Sequence, residues 1–103
     1  MSYPSVSIIV LNWNGLKDTL ECLESLAAIT YPNHEILVVD NASTGNDVAA
    51  LRGRSGGRIR LLENDRNYGY TGVNNIGIRD SLARANPDYL LILNNDVIVS
   101  LDF

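Results

Sequence analysis

Short apolar runs alternate with longer amphipathic stretches along the chain. The runs at 6–11 and 35–39 are rich in β-branched residues, which is typical of strands buried on both faces of a parallel sheet. Two further runs, at 58–62 and 89–93, extend the series. The pattern therefore predicts four short strands, separated by segments of a different period.

The intervening segments have the period of helices. Apolar residues recur at steps of three and four over 15–28, which predicts a helix with Asn14 as its N-cap. A shorter helix is predicted at 46–51, and a third from 73 to about 86, after a loop at 64–72. Regular alternation of strand and helix predicts right-handed crossovers and an α/β fold, a Rossmann-like three-layer α/β/α sandwich with a mostly parallel sheet.

Length and composition exclude several classes of protein. A chain of 103 residues allows a single domain, 1–103, and 46% hydrophobic residues suit a globular core. The net charge of −4 argues against a nucleic-acid-binding surface, and the single cysteine excludes an internal disulfide. Neither a signal peptide nor a membrane-spanning apolar run is recognisable, so a cytoplasmic location is expected.

Polar residues collect where each predicted strand ends. Asn12 follows the first strand, Asp40 the second, residues 64–67 the third and residues 94–96 the fourth. In an open α/β sheet these ends share one edge, and ligands bind there at the switch point of the strand order. With the order 3-2-1-4, Asn12 and Asp96 face the same crevice.

The chemistry of these residues leaves alternatives open. Asp40 is suited to accept hydrogen bonds from a base or a ribose, or else to cap the next helix. Asp96 is suited to bind Mg²⁺ or Mn²⁺ together with a diphosphate, or else to form a turn. Trp13 is either a wall of the pocket or a packing anchor. A phosphate-binding glycine loop is absent after the first strand, so a diphosphate here needs a metal.

Taken together, these segments resemble the amino-terminal half of a family 2 glycosyltransferase of GT-A fold. The Asn-Trp-Asn-Gly and Leu-Asn-Asn-Asp segments are similar to those of rhamnosyltransferase-like members. The stretches that carry the resemblance, in the family's order, are 6–15, 22–26, 35–44, 67–75 and 93–97.

The resemblance implies a binding site for a nucleotide diphosphate sugar. Asp96 occupies the last position of the family's DxD motif and is the implied ligand of Mn²⁺ or Mg²⁺. Asn94 departs from the aspartate that is frequent there and brings no charge, so metal affinity without the donor is expected to be weak. The implied nucleotide-sugar-binding residues are Asn12, Asn14, Asp40, Asn67, Gly69, Asn74, Asn94 and Asn95.

The activity implied is inverting transfer of a sugar from a UDP- or dTDP-sugar to a hydroxyl of a saccharide or lipid-linked acceptor, as in polysaccharide biosynthesis. The general base is expected after Phe103, so we expect a truncated domain that is inactive alone. An uncovered sheet edge is then expected to favour a homodimer. One alternative is a non-catalytic module that binds nucleotide sugars. The other is a phosphoacceptor domain, but that class needs an acidic pair after the first strand, and this sequence has none near Asn12.

Overall fold

A computed structural model describes residues 3–100 of the chain. Strands and helices alternate throughout, as the pattern of apolar positions predicts. The apolar residues 97–99 follow the last strand without extending it. The elements are β1 (Val6–Asn12), α1 (Leu16–Ala27), β2 (His34–Asp40), α2 (Asp47–Arg54), β3 (Ile59–Glu63), α3 (Gly69–Arg84) and β4 (Tyr89–Leu93).

The four strands form one sheet in the order β3-β2-β1-β4, and every neighbouring pair is parallel. This is the order 3-2-1-4, under which Asn12 and Asp96 are expected to face the same crevice. In this register Asn12 is paired with Asp40, and Asp40 with Glu63, so the strand ends lie level along one edge. Val10 is paired with Leu93, the last residue of β4. The polar segments that follow the strands consequently meet at that edge.

Side chains alternate between the two faces of the sheet and divide the core. Ile8 and Val10 of β1 pack on the face covered by α1 and α2, in a cluster that includes Leu23 and Leu51. Ile9 packs with Val73 of α3 on the other face. This alternation is the period of a strand that is covered on both sides, and it confirms the α/β/α sandwich.

Helix α3 lies unusually close to the sheet at Gly77. A Cβ atom at this position would stand 3.0 Å from Ile9 Cγ2 and 3.2 Å from Val39 Cγ2. The absence of a side chain therefore lets the helix approach the two central strands. This glycine serves packing rather than a turn, because it lies in the middle of the helix.

Two local predictions are wrong. Asn14 does not cap α1: the N-cap position is Gly15, and no side chain caps this end. Asn14 has a φ of 50°, and its Oδ1 accepts hydrogen bonds from the backbone N–H and hydroxyl of Thr44 instead. Helix α3 also begins at Gly69, inside the predicted loop, and the backbone N–H of this first residue donates to Asn67 Oδ1.

Within residues 3–100, every helix is too short or too polar to cross a membrane.

Candidate functional site

A cleft of about 440 Å³ opens at the carboxyl edge of the sheet. Its lining is rich in side-chain amides, and Asp96 is its single charged residue. Among residues 3–100, neither lysine nor arginine contributes to the lining, so no basic side chain of this part of the chain faces an anionic ligand there. The lining residues are Leu11, Asn12, Trp13, Asn41, Asn67, Gly69, Tyr70, Val73, Asn94, Asn95 and Asp96.

The back of the cleft is a buried hydrogen-bond network around Asn12. Asn12 is 1% exposed, and its Nδ2 lies 2.8 Å from Asp40 Oδ1 and 3.0 Å from Asp47 Oδ2. Its Nδ2 also lies 3.2 Å from the Ser43 hydroxyl oxygen, so the two N–H donors of this side-chain amide are shared among three acceptors. Its Oδ1 accepts a hydrogen bond of 2.6 Å from the hydroxyl of Thr19. Asn12 is thereby held from α1, β2 and α2 at once.

Asp40 lies behind the cleft rather than in its wall. The residue is fully buried, and Asn12 and the Ser43 hydroxyl donate to its Oδ1 while the Ser43 amide donates to Oδ2. A buried carboxyl group tolerates the loss of water when such donors surround it. The contacts with Ser43 form a turn, and because the N-cap position of α2 is Asn46, Asp40 does not cap the next helix. Its neighbour Asn41 faces the cleft instead.

Asn41 is a functional-site residue that the sequence reasoning missed. It is 5% exposed, and its Oδ1 accepts hydrogen bonds from Asn64 Nδ2 and from the backbone N–H of Tyr68. Its Nδ2 donates to Asn67 Oδ1, which also accepts from the N–H of Gly69. The loop before α3 is thus tied to the end of β2. The available signal was the grouping of asparagines after two neighbouring strands.

The segment after β4 forms the opposite wall of the cleft. Asn94 and Asp96 are exposed, whereas Asn95 is partly buried and its Nδ2 donates to Thr19 Oγ1 at 3.1 Å. Gly15 makes room for this amide, since a Cβ atom there would stand 2.5 Å from Asn95 Nδ2. The three residues therefore sit beside the start of α1, and Asp96 reaches the cleft from this side.

Besides Asp40, two more of the predicted binding residues lie outside the wall of the cleft. Asn14 is exposed, and its hydrogen bonds hold the segment at Ser43 and Thr44. Asn74 is partly buried on α3, and its Oδ1 has no hydrogen-bond partner within residues 3–100. Asn12, Asn67, Gly69, Asn94, Asn95 and Asp96 do line the cleft together.

Aromatic side chains border the mouth of the cleft. Trp13 is 56% exposed and Tyr70 is 67% exposed, and both belong to its lining. Trp13 is therefore a wall of the pocket and not a packing anchor. Nearby, Tyr68 donates a hydrogen bond from its hydroxyl to Asp65, which keeps the pKa of that carboxyl below its ordinary value. The guanidinium of Arg66 lies 4.9 Å from the centre of the Tyr68 ring.

The donor set fits a divalent cation that is shared with a phosphate ligand. Groups of three or more acidic, histidine or cysteine side chains suited to a metal are absent from residues 3–100. Mg²⁺ and Mn²⁺ are commonly held by one or two carboxylates with water and substrate phosphates completing the shell. Asp96, exposed at the cleft beside two amides, meets that requirement, but only with the phosphates present.

A comparison with family models identifies the family of this chain. The model for "Glycosyl transferase family 2" matches residues 7–103. The chain belongs to glycosyl transferase family 2. The family resemblance seen in the sequence is therefore confirmed at this level.

The curated relatives of this chain are longer glycosyltransferases. The glycosyltransferase GlyG of Streptococcus pneumoniae is 32% identical over 96 residues, which cover 91% of this chain and 31% of GlyG. The low-salt glycan biosynthesis hexosyltransferase Agl10 of Haloferax volcanii is 30% identical over 95 residues, which cover 92% of this chain and 29% of Agl10. This family 2 chain thus spans about three tenths of the length of these relatives.

Solved glycosyltransferases share the fold. The mannosyltransferase PcManGT from Pyrobaculum calidifontis, in complex with GDP-Man and Mn²⁺, superposes with a TM-score of 0.76 at 25% identity over 92% of this chain and 28% of PcManGT. S. aureus TarS 1-349 in complex with UDP-GlcNAc gives 0.75 at 26% identity over 89% of this chain and 26% of TarS. The GT-A fold predicted for this family 2 chain is therefore confirmed.

Proposed function

We propose that this chain forms the donor-binding part of a glycosyltransferase that moves a sugar from a UDP- or dTDP-sugar to an acceptor hydroxyl with inversion. The observation that carries the proposal is the cleft in which Asp96 stands among amides without a basic residue. A diphosphate has two or more negative charges, and this lining neutralises none of them. A divalent cation held by Asp96 would join the diphosphate to the protein.

Each wall of the cleft has its own part in the proposal. Trp13 offers an aromatic face at the mouth, suited to a flat base, while Asn67 and the backbone of Gly69 offer polar contacts opposite. Asn94 and Asn95 offer amides to the ribose or to metal-bound water, and Asp96 binds the cation. Asp40 acts from behind, since its carboxylate holds Asn12 in the wall.

The cation, when bound, stabilises the charge that develops on the departing diphosphate. The described residues contribute binding and orientation to this reaction. The proposal assigns no general base within residues 3–100, because the one carboxylate lining the cleft is already engaged in holding the cation. Names of relatives such as GlyG favour a transferase over a module that binds nucleotide sugars without turnover.

The chain carries its own reporter for a binding test. Trp13 is its single tryptophan and lines the cleft, so its fluorescence changes when a ligand covers it. UDP, dTDP, GDP and ADP are titrated with Mn²⁺ and then with EDTA. We expect UDP or dTDP to bind most tightly and Mn²⁺ to lower the Kd at least about tenfold, since the metal supplies the missing positive charge.

Asp96→Asn tests the assignment of the cation. The variant is expected to bind UDP equally with Mn²⁺ and with EDTA, because the amide brings no charge. Asp18→Asn is the matched control, since Asp18 is an exposed carboxylate in the first turn of α1 and lies outside the cleft lining. Equal metal dependence in both variants, or a folded wild-type chain that binds none of the four nucleotides, would refute the proposal.

A further inference from the structure

We infer that Thr19, a residue of α1 that does not line the cleft, is a positioning residue that sets the place of Asp96. This inference rests on the proposed function, because it concerns how the metal-binding side of the same cleft is held. Thr19 is fully buried, and its hydroxyl lies between the two walls of the cleft. It donates to Asn12 Oδ1 at 2.6 Å and accepts from Asn95 Nδ2 at 3.1 Å.

The hydrogen bonds through Thr19 all run in one direction. Asn95 donates to Thr19, Thr19 donates to Asn12, and Asn12 donates to the carboxylates of Asp40 and Asp47. Because the side-chain amide nitrogens of Asn95 and Asn12 can only donate, each hydrogen bond in this series has a defined donor. Bonds aligned in this way polarise and strengthen one another in a buried setting.

This direction determines how Asn95 is placed. Its amide nitrogen points to α1, where Gly15 O is a second acceptor at 3.4 Å, and the lack of a side chain at Gly15 leaves space for it. Asn95 is joined directly to Asp96, so holding the amide holds the backbone from which the carboxylate extends. Thr19 is consequently a link from the rigid β1–β2 side to the exposed segment after β4.

The sequence offers a sharp test, because valine has nearly the shape of threonine without its hydroxyl. In Thr19→Val the segment is expected to loosen, so hydrogen exchange at the amide of Val97, which donates to Asn94 O, should accelerate about tenfold or more. Amides of β1 and β2 should keep their wild-type rates. Thr19→Ser retains the hydroxyl and should restore slow exchange at Val97.

Nucleotide binding supplies the second measurement. The ratio of the UDP Kd in EDTA to that in Mn²⁺, followed by Trp13 fluorescence, should fall on the order of tenfold in Thr19→Val and recover in Thr19→Ser. A residue that merely stabilised the fold would change both Kd values alike and leave this ratio constant. Asn95→Ala removes the same link from its exposed side and should lower the ratio to a similar extent.

The outcomes separate this inference from the proposed function. Unchanged exchange at Val97 in a folded Thr19→Val chain overturns the positioning role, whatever binds. Accelerated exchange with an unchanged Kd ratio overturns the link to the metal. If the wild-type chain shows no effect of Mn²⁺ on any nucleotide, the proposed function fails even when Val97 exchange responds as expected. Additive losses in the Thr19→Val, Asn95→Ala double variant also overturn the inference, because residues acting through one bond are not additive.

Discussion

The two walls of the cleft are held in different ways. At the ends of β1 and β2, Asn12, Asp40 and Asp47 are buried and bonded to one another from three elements of the fold. Across the cleft, Asn94 and Asp96 are exposed, and the side chain of Asn95 ties their segment to α1. One wall is therefore built from buried side chains bonded to one another, whereas the other is exposed and is held to α1 through Asn95.

This difference assigns separate tasks to similar residues. An asparagine in the buried wall stabilises the fold, and an asparagine in the exposed wall is available to a ligand. Substitutions that look alike in the sequence should consequently have effects of very different size on the free energy of unfolding.

The largest loss of stability is expected from Asn12→Leu. The change leaves the buried carboxylates of Asp40 and Asp47 without their shared donor, which costs about 3 kcal/mol or more of unfolding free energy. Urea denaturation measures this loss. The control is Asn14→Gly, at an exposed position with a φ of 50°, where glycine is tolerated and a change below about 1 kcal/mol is expected. Equal losses in the two variants would contradict the distinction between buried and exposed amides.

A smaller loss of stability is expected when Asn41, which bonds the loop before α3 to the end of β2, is replaced. Asn41→Ala removes the acceptor of the Tyr68 amide and of Asn64, and should lower the unfolding free energy by about 1.5 kcal/mol. Hydrogen exchange at Tyr68 should accelerate more than exchange in β1. If Tyr68 and β1 respond equally, Asn41 stabilises the whole domain and not the loop.

The thiol of Cys22 gives a pH-dependent measure of the buried side. Burial raises its pKa above 9.0, and the negative charge of Asp96 adds to the shift. The folded chain therefore holds its thiol proton at pH values where the unfolded chain has lost it. Stability should be fully present below pH 9.0 and decline above it, by at most about 1.4 kcal/mol per pH unit for one group.

Urea denaturation between pH 8 and 10 tests this slope. Cys22→Ala should have a lower stability overall and a flatter pH dependence, since it has no thiol to titrate. An identical decline in wild type and variant would assign the effect to other groups.

The smallest effect on stability is expected in the exposed wall. Asn94→Ala should change the unfolding free energy by less than about 0.5 kcal/mol, because surface substitutions away from buried networks seldom do more. The same variant should weaken UDP binding in Mn²⁺ severalfold, as Trp13 fluorescence would record. A large loss of stability here would show that the exposed wall is as tightly held as the buried one.

The sequence predicted the sheet well because its signal is local. β1 and β2 each centre on a short apolar run, and their observed bounds differ from the predicted ones by at most one residue at each end. The start of α3 was missed for the opposite reason. Gly69 and Gly72 are weak helix formers, and the amides at this start are satisfied by Asn67 and by Asn41 from another part of the chain.

Some features of the candidate site could also be predicted from the sequence, and others could not. Position at the ends of strands was enough to predict that Asn12, Asn67 and Asp96 would meet in one cleft. The burial of Asp40 depends on Ser43 and on Asn12, and the role of Thr19 depends on contacts across three elements. Such contacts become visible only once the packing of α1 on the sheet is known.

The position of β1 in the middle of the sheet has a consequence for how the protein is made. Its neighbour β4 comes late in the chain, and contacts such as that between Ser5 and Asp88 join residues 83 positions apart. At about 5–20 residues per second, a ribosome takes roughly 4–17 s to add that length. Throughout this interval one side of β1 has no partner strand, and an unpaired strand edge is open to pairing with other chains.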